Sequence, residues 1–496
     1  MAATEVLERP PKDTSSTATP QLKRGLGGWM SSSLVAGNMI GSGVFLLPAA
    51  LAGVMVVSGS SALLAWLFTG IGAMLLALVF GVMGRAYPRT GGPYAYAHRA
   101  FGDFAGFWTA WGYWIAAWAG NAAIAVAFVS YLGLFWPTVL SNHLVASLVA
   151  IGIIWVVTAI NITGVRQTGI AQVVTTVLKF VPLALIGIVG LFFIHGANFS
   201  PFAPHGWGTG TGAIGGITAA AALTLWAFIG LESATVPAEE VKDPKRTIPR
   251  ATIFGTLATT VVYIVATVAI VGIIPAAILQ HSNAPFADAA RIMFGGGSFL
   301  GLTWAKVVGL IAMISTFGAL NGWVLIQGRI PMAAAQDGLF PKRFATLSGK
   351  SKTPVFGLVV SSLLVTALLF LYSRGSLINQ FWNVILLATL TTLVPYAFAA
   401  AAQLFLMFKE PERFVGRNVI RDVIVAMLGF GYAFWAMVGS GQKTIAWGFL
   451  LLMAGLPVYV YMKWRQSREP VITTARFVTA PPERGEIERV LIRQAN

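Results

Sequence analysis

The sequence predicts an all-α integral membrane protein with about 12 transmembrane helices. Of the 496 residues, 56% are hydrophobic and 10% are charged, whereas soluble globular proteins carry about 25% charged residues. The mean hydropathy is +0.76. Folding alone cannot remove this much apolar surface from water, so we expect a lipid bilayer to cover part of it. Apolar runs of the roughly 20 residues that a spanning helix needs recur along the chain.

Twelve apolar segments are long enough to cross a bilayer. We predict them at residues 27–55, 59–87, 101–135, 143–161, 167–194, 212–239, 248–274, 303–334, 354–373, 379–407, 420–440 and 443–464. Residues 1–26 are rich in Pro, Ser and Thr and lack the apolar core of a signal peptide, so we expect a disordered cytoplasmic tail. Residues 466–496 are predicted to form a second cytoplasmic tail.

The basic residues are distributed asymmetrically between alternate loops. The net charge is +16. If the N-terminus is cytoplasmic, the inner loops hold most Lys and Arg side chains, and the outer loops and segment edges hold little beyond Arg291, Lys306, Arg374 and Lys443. This is the positive-inside bias of membrane proteins. It predicts a multi-pass protein of the cell (inner) membrane with both termini in the cytoplasm, and it accounts for the charge without a nucleic-acid partner.

The composition excludes several kinds of chemistry. The chain has no cysteine, and its five histidines lie in loops or at segment ends without metal-ligand spacing. No phosphate-binding loop, HExxH helix or nucleophile elbow is present. We therefore predict no catalytic residue, no metal site and no cofactor.

Two segments carry a glycine-centred interruption. Gly41, Ser42 and Gly43 interrupt the first segment, and Gly230 interrupts the sixth. An unwound turn inside a bilayer leaves backbone groups unpaired, which is tolerable only where they line a cavity. Paired breaks at corresponding positions of two halves indicate the binding site of a transporter. They predict an inverted repeat of five plus five helices, at 27–211 and 212–408, followed by two helices at 409–465.

The directions of the two broken segments predict what they bind. The outer half of the first segment begins at the break, where its free N–H groups and the Ser42 hydroxyl suit a carboxylate. Carbonyl groups near Met39 and from Trp226 to Ile229 suit an ammonium group. Together these groups describe an α-amino acid. The alternative is that the glycines only allow close helix packing.

Further candidate residues lie in the third, sixth and eighth segments. Trp226 and Trp323 either pack or bind a cationic side chain through cation–π contacts. Tyr113, Ala117 and Asn121 fall on one face of the third segment, with Ala116 beside them. The small residues on this face either leave room for a substrate or pack against a neighbouring helix.

Lys179 and Glu232 are the ionisable residues that the sequence places deep in apolar segments, and such residues are functional candidates. Glu232 follows the second break and could sense or couple a proton. The Lys179 ammonium could bridge the broken helices, in the place of a sodium ion, or form a structural pair.

Charged and turn-forming residues cluster in three inner loops, at 87–94, 239–249 and 337–341. These loops are either solvated turns or a cytoplasmic gate made of ion pairs.

Five stretches resemble the amino acid–polyamine–organocation superfamily, and its basic amino acid/polyamine antiporter branch, which includes arginine/agmatine antiporters. They lie at 37–48 (GNMIGSGVFLLP), 91–97 (GGPYAYA), 113–121 (YWIAAWAGN), 226–233 (WAFIGLES) and 393–396 (LVPY). The resemblance implies a leucine-transporter-type fold, alternating access and a homodimer.

The resemblance also implies residue roles. Ser42 and Gly43 bind the substrate carboxylate, and carbonyls of Met39, Trp226 and Ile229 hold its amino group. The guanidinium meets Asn121 and the carbonyls of Ala116 and Ala117. Trp226, Trp323, Tyr113 and Tyr396 act as gates, and Glu232 senses protons.

Two residues depart from the arginine/agmatine pattern. Ala388 replaces a serine that contacts the guanidinium, and Lys179 matches other permeases of the superfamily. We therefore predict exchange of cationic amino acids such as arginine, lysine or ornithine, or of their amines. The alternative is a proton-coupled symporter of neutral amino acids. An enzyme or a channel would need a catalytic dyad or a polar pore row, which the sequence lacks.

Overall fold

The computed structural model describes residues 24–371 and 377–468. Most of both predicted tails, residues 1–23 and 469–496, lies outside the described residues. Within the described ranges the chain is helical, with no β-structure beyond an isolated bridge between Leu26 and Val241. The all-α prediction is confirmed for this part of the chain.

Eighteen α-helices form in the described ranges. They are α1 (Gly28–Met39), α2 (Ser42–Ser58), α3 (Leu64–Ala86), α4 (Pro93–Phe101), α5 (Asp103–Leu132), α6 (Thr138–Ser141), α7 (His143–Thr163), α8 (Val165–Gly190), α9 (Ala213–Phe228), α10 (Pro244–Ile273), α11 (Ala276–Leu279), α12 (Pro285–Met293), α13 (Phe299–Gln336), α14 (Val355–Leu371), α15 (Leu377–Lys409), α16 (Val419–Gly439), α17 (Gln442–Met453) and α18 (Leu456–Arg468). Short 3₁₀ helices lie at Ser60–Leu63, Leu191–Phe193, Gly196–Phe199, Ala238–Glu240, Lys342–Ala345 and Pro411–Phe414.

Nine stretches of the described chain are long and apolar enough to cross a membrane. They are Gly28–Ser58, Ser60–Ala86, Asp103–Leu132, His143–Thr163, Pro244–Ile273, Phe299–Gln336, Val384–Lys409, Val419–Gly439 and Thr444–Arg468. Three shorter apolar helices lie at predicted segments 5, 6 and 9, at Thr168–Phe180, Ala213–Phe228 and Val355–Leu371.

Helices α5 and α13 form the centre of the molecule. They pack against each other, and α5 also packs along α15. Almost every residue of α5 between Ala105 and Tyr131 is buried, in agreement with a helix that is apolar on all sides. Helices α16 and α17 are peripheral and expose large apolar side chains such as Phe434 and Trp447, which suits contact with lipid.

The short helix α12 follows α10 and α11 and is amphipathic. Its apolar face is buried rather than laid on a surface, because Phe286 packs edge-on against Phe45 of α2 with ring centroids 5.3 Å apart. Tyr131 of α5 also packs against Phe45, at 5.7 Å. Helix α12 therefore covers one end of the region around α2.

Candidate functional site: the cavity between two broken helices

The first break separates α1 from α2. Helix α1 ends at Met39 and α2 begins at Ser42, so Ile40 and Gly41 alone lie outside helical geometry. A side chain at position 41 would place its Cβ 2.7 Å from the Cβ of Ala319 in α13, which leaves space for glycine only. Gly43 lies in the first turn of α2, where backbone N–H groups have no helical partner.

The second break ends α9 at Phe228. Gly230 adopts a left-handed φ of +119°, which glycine tolerates and other residues rarely adopt. The sequence predicts a helix that resumes up to residue 239, but the chain instead forms successive turns before the 3₁₀ helix Ala238–Glu240. Thr235 donates its hydroxyl to the Glu232 carbonyl at 2.7 Å, and such local bonds compete with helix formation.

The two breaks lie against each other. A Cβ added to Gly230 would lie 3.0 Å from the Cβ of Asn38, and one added to Gly43 would lie 2.9 Å from the Cα of Ala227. The Asn38 amide also donates to the Ser233 hydroxyl at 2.9 Å. The glycines therefore allow the unwound backbone of one helix to contact that of the other.

Donor side chains bind the carbonyl groups that the first break leaves unpaired. The Lys179 ammonium on α8 donates to the carbonyls of Gly37 and Ile40 at 2.5 and 2.6 Å. The Tyr263 hydroxyl on α10 lies within hydrogen-bond distance of the Met39 carbonyl and is 2.9 Å from the Ala227 carbonyl. Lys179 thus contacts the first break, and Tyr263 contacts both breaks.

A buried carboxylate binds the second break. Gly230 donates its backbone N–H to Glu232 Oε2 at 3.2 Å. The hydroxyls of Tyr113 on α5 and Tyr396 on α15 donate to the two carboxylate oxygens of Glu232 through short hydrogen bonds. All three side chains are fully buried. We call Tyr113, Glu232 and Tyr396 the inner layer.

A small cavity of about 10 Å³, room for about one water molecule, lies between the breaks. Its lining residues are Asn38, Met39, Gly41, Ser42, Gly43, Ile124, Trp226, Ile229 and Trp323. The indole N–H of Trp226 donates to the Ser42 hydroxyl, and that of Trp323 donates to the Asn38 carbonyl, both at 3.2 Å. Both indoles are therefore hydrogen-bonded to the first break, Trp226 from α9 and Trp323 from α13.

The α5 residues of the predicted site do not line this cavity, whose α5 wall is Ile124. Ala116 and Ala117 are buried on α5. The Asn121 amide donates to Gln327 Oε1 of α13 at 2.7 Å, and the Asn121 oxygen is buried without a hydrogen-bond partner. Asn121 therefore has an unused acceptor where α5 meets α13.

A buried ion pair joins α13 to the loop after α9. Arg329 and Glu240 are both inaccessible to solvent, and their side chains form two hydrogen bonds, of 2.9 and 3.2 Å. Removing one partner of such a pair leaves an uncompensated buried charge, which costs about 3–5 kcal/mol. This is a third buried ionic group, beside Lys179 and Glu232, and the sequence prediction missed it.

A second ionic cluster joins the loop after α3 to the end of α13. Arg89 donates to Asp337 Oδ1 and the Tyr94 hydroxyl donates to Asp337 Oδ2, both at 2.5 Å. Burial raises the pKa of Asp337, but the hydrogen bonds from His98 and Tyr94 and the charge of Arg89 outweigh it and lower that pKa to about 2. The inner loops that the sequence singles out are therefore linked by charged side chains.

Comparison with known proteins identifies the family. A family model described as amino acid permease matches residues 26–462. The chain belongs to this family. The superfamily indicated by the sequence motifs is thereby confirmed, and with the apolar spans it makes this chain a multi-pass membrane protein.

Curated relatives match over nearly their whole length. The cadaverine/lysine antiporter of Escherichia coli (strain K12) is 33% identical over 451 residues, which cover 89% of this chain and 96% of the relative. The putative arginine/ornithine antiporter of Bacillus subtilis (strain 168) is 31% identical, with 89% and 98% covered. The putrescine transporter PotE of Haemophilus influenzae is 31% identical, with 86% and 94% covered. These relatives are transporters rather than enzymes.

Tyr263, Gln327 and Arg329 are the residues of this region that sequence reasoning missed. Each is a polar side chain inside an apolar segment, and each has a buried hydrogen-bond partner. Because a polar group is costly to bury without a partner, a polar residue inside an apolar segment indicates a buried hydrogen bond, and this was the signal in the sequence. The described residues contain no group of three or more His, Cys, Asp or Glu side chains that could hold a metal.

Proposed function

We propose that the chain is a secondary active transporter that exchanges cationic amino acids, such as lysine, arginine or ornithine, or their decarboxylated amines, by alternating access. The cavity between the two breaks carries this proposal. It is lined by backbone groups of both breaks and by two indoles, and it contains no acidic or basic side chain. The names of the relatives, which include lysine, ornithine and diamines, support the substrate class.

The cavity suggests how the substrate is oriented. The Ser42 hydroxyl and the first-turn N–H of Gly43 are donors for a carboxylate at the start of α2. Carbonyls of Met39, Trp226 and Ile229 are acceptors for the α-amino group. The indole faces of Trp226 and Trp323 accept the charged end of the side chain through cation–π contacts.

Deeper groups complete the proposed route. The Asn121 oxygen is an acceptor for a long cationic side chain, near the carbonyls of Ala116 and Ala117. The inner layer of Tyr113, Glu232 and Tyr396 separates the cavity from the inner loops. In this proposal Tyr113, Tyr396 and the two tryptophans gate the site, and Glu232 changes its protonation as the layer opens.

We also propose the finer architecture. The three shorter apolar helices and the nine long spans make twelve crossings, arranged as an inverted repeat at 27–211 and 212–408 with two further helices at 409–465. The positive-inside bias supports cytoplasmic termini, with tails at 1–26 and 466–496, in the cell (inner) membrane. A homodimer rests on the superfamily resemblance alone.

Counterflow in proteoliposomes tests the exchange. Vesicles loaded with unlabelled lysine are placed in radiolabelled arginine, lysine, ornithine, agmatine, cadaverine or leucine, the neutral control. We expect uptake of the cationic compounds only when a cationic substrate is present inside. Uptake into empty vesicles that follows an imposed proton gradient would contradict exchange.

One observation favours a second function, a proton-coupled symporter. The Lys179 ammonium binds two carbonyls of the first break, so loss of its proton would release part of that break. Leucine uptake that depends on a proton gradient and is abolished by Lys179→Met would support this alternative.

A further inference from the structure

A second cavity, which shares no lining residue with the first, lies where α3, α10 and the loop before α16 meet. Its volume is about 570 Å³, within the range of small-molecule sites. The basic residues that line it are Arg85, Lys245, Arg246, Arg250 and Arg417. Asp243 is the one acidic residue in this lining.

The positive charge of this cavity is poorly neutralised within the described chain. Arg417 is paired with Asp422, and Arg246 lies 4.0 Å from Asp243 in a solvent-exposed pair. Exposed pairs of this kind contribute little. Arg85, Lys245 and Arg250 form no ion pair among the described residues. Like charges held this close repel one another, so the cavity favours an anion.

The position of the cavity indicates that the anion belongs to the membrane. Arg85 lies in the last turn of α3, and Lys245 and Arg250 lie in the first turns of α10. Both helices are spans, so the cavity opens at the edge of the membrane, on the face that the proposed topology places in the cytoplasm. Helix α10 also begins here, and its first-turn N–H groups add positive potential.

An apolar stripe continues from the cavity along α10. Phe254, Leu257 and Val261 follow Arg250 at spacings of four, three and four residues, so they share one face of the helix. Each is exposed over about half or more of its surface. The stripe is exposed on a helix long and apolar enough to cross a membrane, and it extends from the basic cavity towards the middle of that helix.

From these observations we infer that the cavity binds the phosphate headgroup of an anionic phospholipid, with its acyl chains along the stripe on α10. Basic pockets between spanning helices on the cytoplasmic side suit such headgroups. The cavity supplies the charge, and the stripe supplies the apolar surface that a free anion does not need.

Native mass spectrometry of the detergent-purified chain tests this site. We expect stoichiometric binding of dioleoylphosphatidylglycerol and much weaker binding of dioleoylphosphatidylcholine. The variant Arg85→Gln/Lys245→Gln/Arg250→Gln should weaken phosphatidylglycerol binding about a hundredfold, since each basic residue near a membrane contributes roughly fivefold. The control Arg343→Gln/Lys350→Gln/Lys352→Gln removes the same charge elsewhere and should change binding less than about threefold.

Three results would overturn the proposal. Equal weakening in both triple variants would assign binding to the overall charge, and equal binding of the two lipids would remove the role of the anion. Displacement of the lipid by millimolar inorganic phosphate would assign the cavity to free anions. The single variant Lys245→Gln, at an exposed position, should weaken binding about fivefold and decides the matter if the triple variant does not fold. The assay measures binding, so it does not depend on whether the chain transports amino acids.

Discussion

The two helix breaks leave opposite backbone groups unpaired and are satisfied by opposite charges. The first break exposes carbonyl groups, and the Lys179 ammonium donates to two of them. The second break exposes the Gly230 N–H, which donates to the Glu232 carboxylate. Both charged side chains are fully buried.

This difference explains why these two buried charges are found where they are. An ammonium has only donors and suits carbonyls, whereas a carboxylate has only acceptors and suits N–H groups and hydroxyls. Each unpaired buried group costs about 1–3 kcal/mol. The backbone atoms that each break exposes therefore determine the sign of the charged side chain that binds there.

The largest effect is expected for Lys179→Met, which removes the ammonium group from the first break. The Gly37 carbonyl loses its donor and the Ile40 carbonyl keeps only a 3.4 Å bond from the Ser315 hydroxyl, at a cost of up to about 1–3 kcal/mol each. We expect uptake to fall at least thirtyfold and the melting temperature to drop. Lys306→Met, at an exposed position of α13, is the matched control and should change neither. Wild-type uptake by Lys179→Met would show that this break needs no buried cation.

The second largest effect is expected for Glu232→Gln, which replaces the carboxylate at the second break. Glutamine keeps one acceptor oxygen, so one hydroxyl of the inner layer loses its partner, and we expect uptake at the optimal pH to fall about tenfold. The variant cannot ionise, so the pH profile of initial rates between pH 5 and 8 should flatten. The control Glu239→Gln should keep the wild-type profile. A Glu232→Gln profile identical to wild type would exclude this residue as the proton-responsive group.

Trp226→Leu tests the cavity that both breaks share. One cation–π contact is lost, and such contacts contribute from about 1 kcal/mol when exposed to about 2 kcal/mol when desolvated, so we expect about tenfold weaker binding of cationic substrates. Trp447→Leu, at an exposed position of α17, should bind them normally. Unchanged affinity and uptake in Trp226→Leu vesicles would contradict the assigned role.

The smallest effect is expected for Tyr263→Phe, which removes the donor that lies between the breaks. One neutral hydrogen bond contributes about 1 kcal/mol, so uptake should fall about fivefold. Tyr461→Phe, on the exposed side of α18, should have no effect. A loss as large as that of Lys179→Met would mean that the two breaks depend on one shared donor rather than on separate charges.

The sequence predicts the helical spans and the sites of both breaks, because apolar length and glycine are local signals. Gly41 and Gly230 lie at the two breaks, and Ser42 and Trp226 line the cavity between them. The prediction that the sixth segment continues as a helix up to residue 239 is wrong. There Pro237 and the side-chain bond of Thr235 outweigh its apolar composition.

Contacts that depend on how one helix is rotated against another could not be predicted. The Asn121 amide donates to Gln327 on α13, and no local pattern in the sequence indicates this contact. Arg329 was not recognised, since its partner Glu240 lies 89 residues earlier in the chain. The roles of the cavity residues stay predictions until transport is measured.

The isolated bridge near the start of the chain links two elements that the sequence separates by more than 200 positions. Leu26 accepts from the backbone of Lys242 at 2.8 Å and donates to that of Glu240 at 2.9 Å. These two backbone hydrogen bonds link the residues that precede α1 to the loop that carries Glu240. A movement of α1 would therefore displace Glu240 as well and strain its ion pair with Arg329. Breaking this ion pair and opening the site between the breaks would then be coupled.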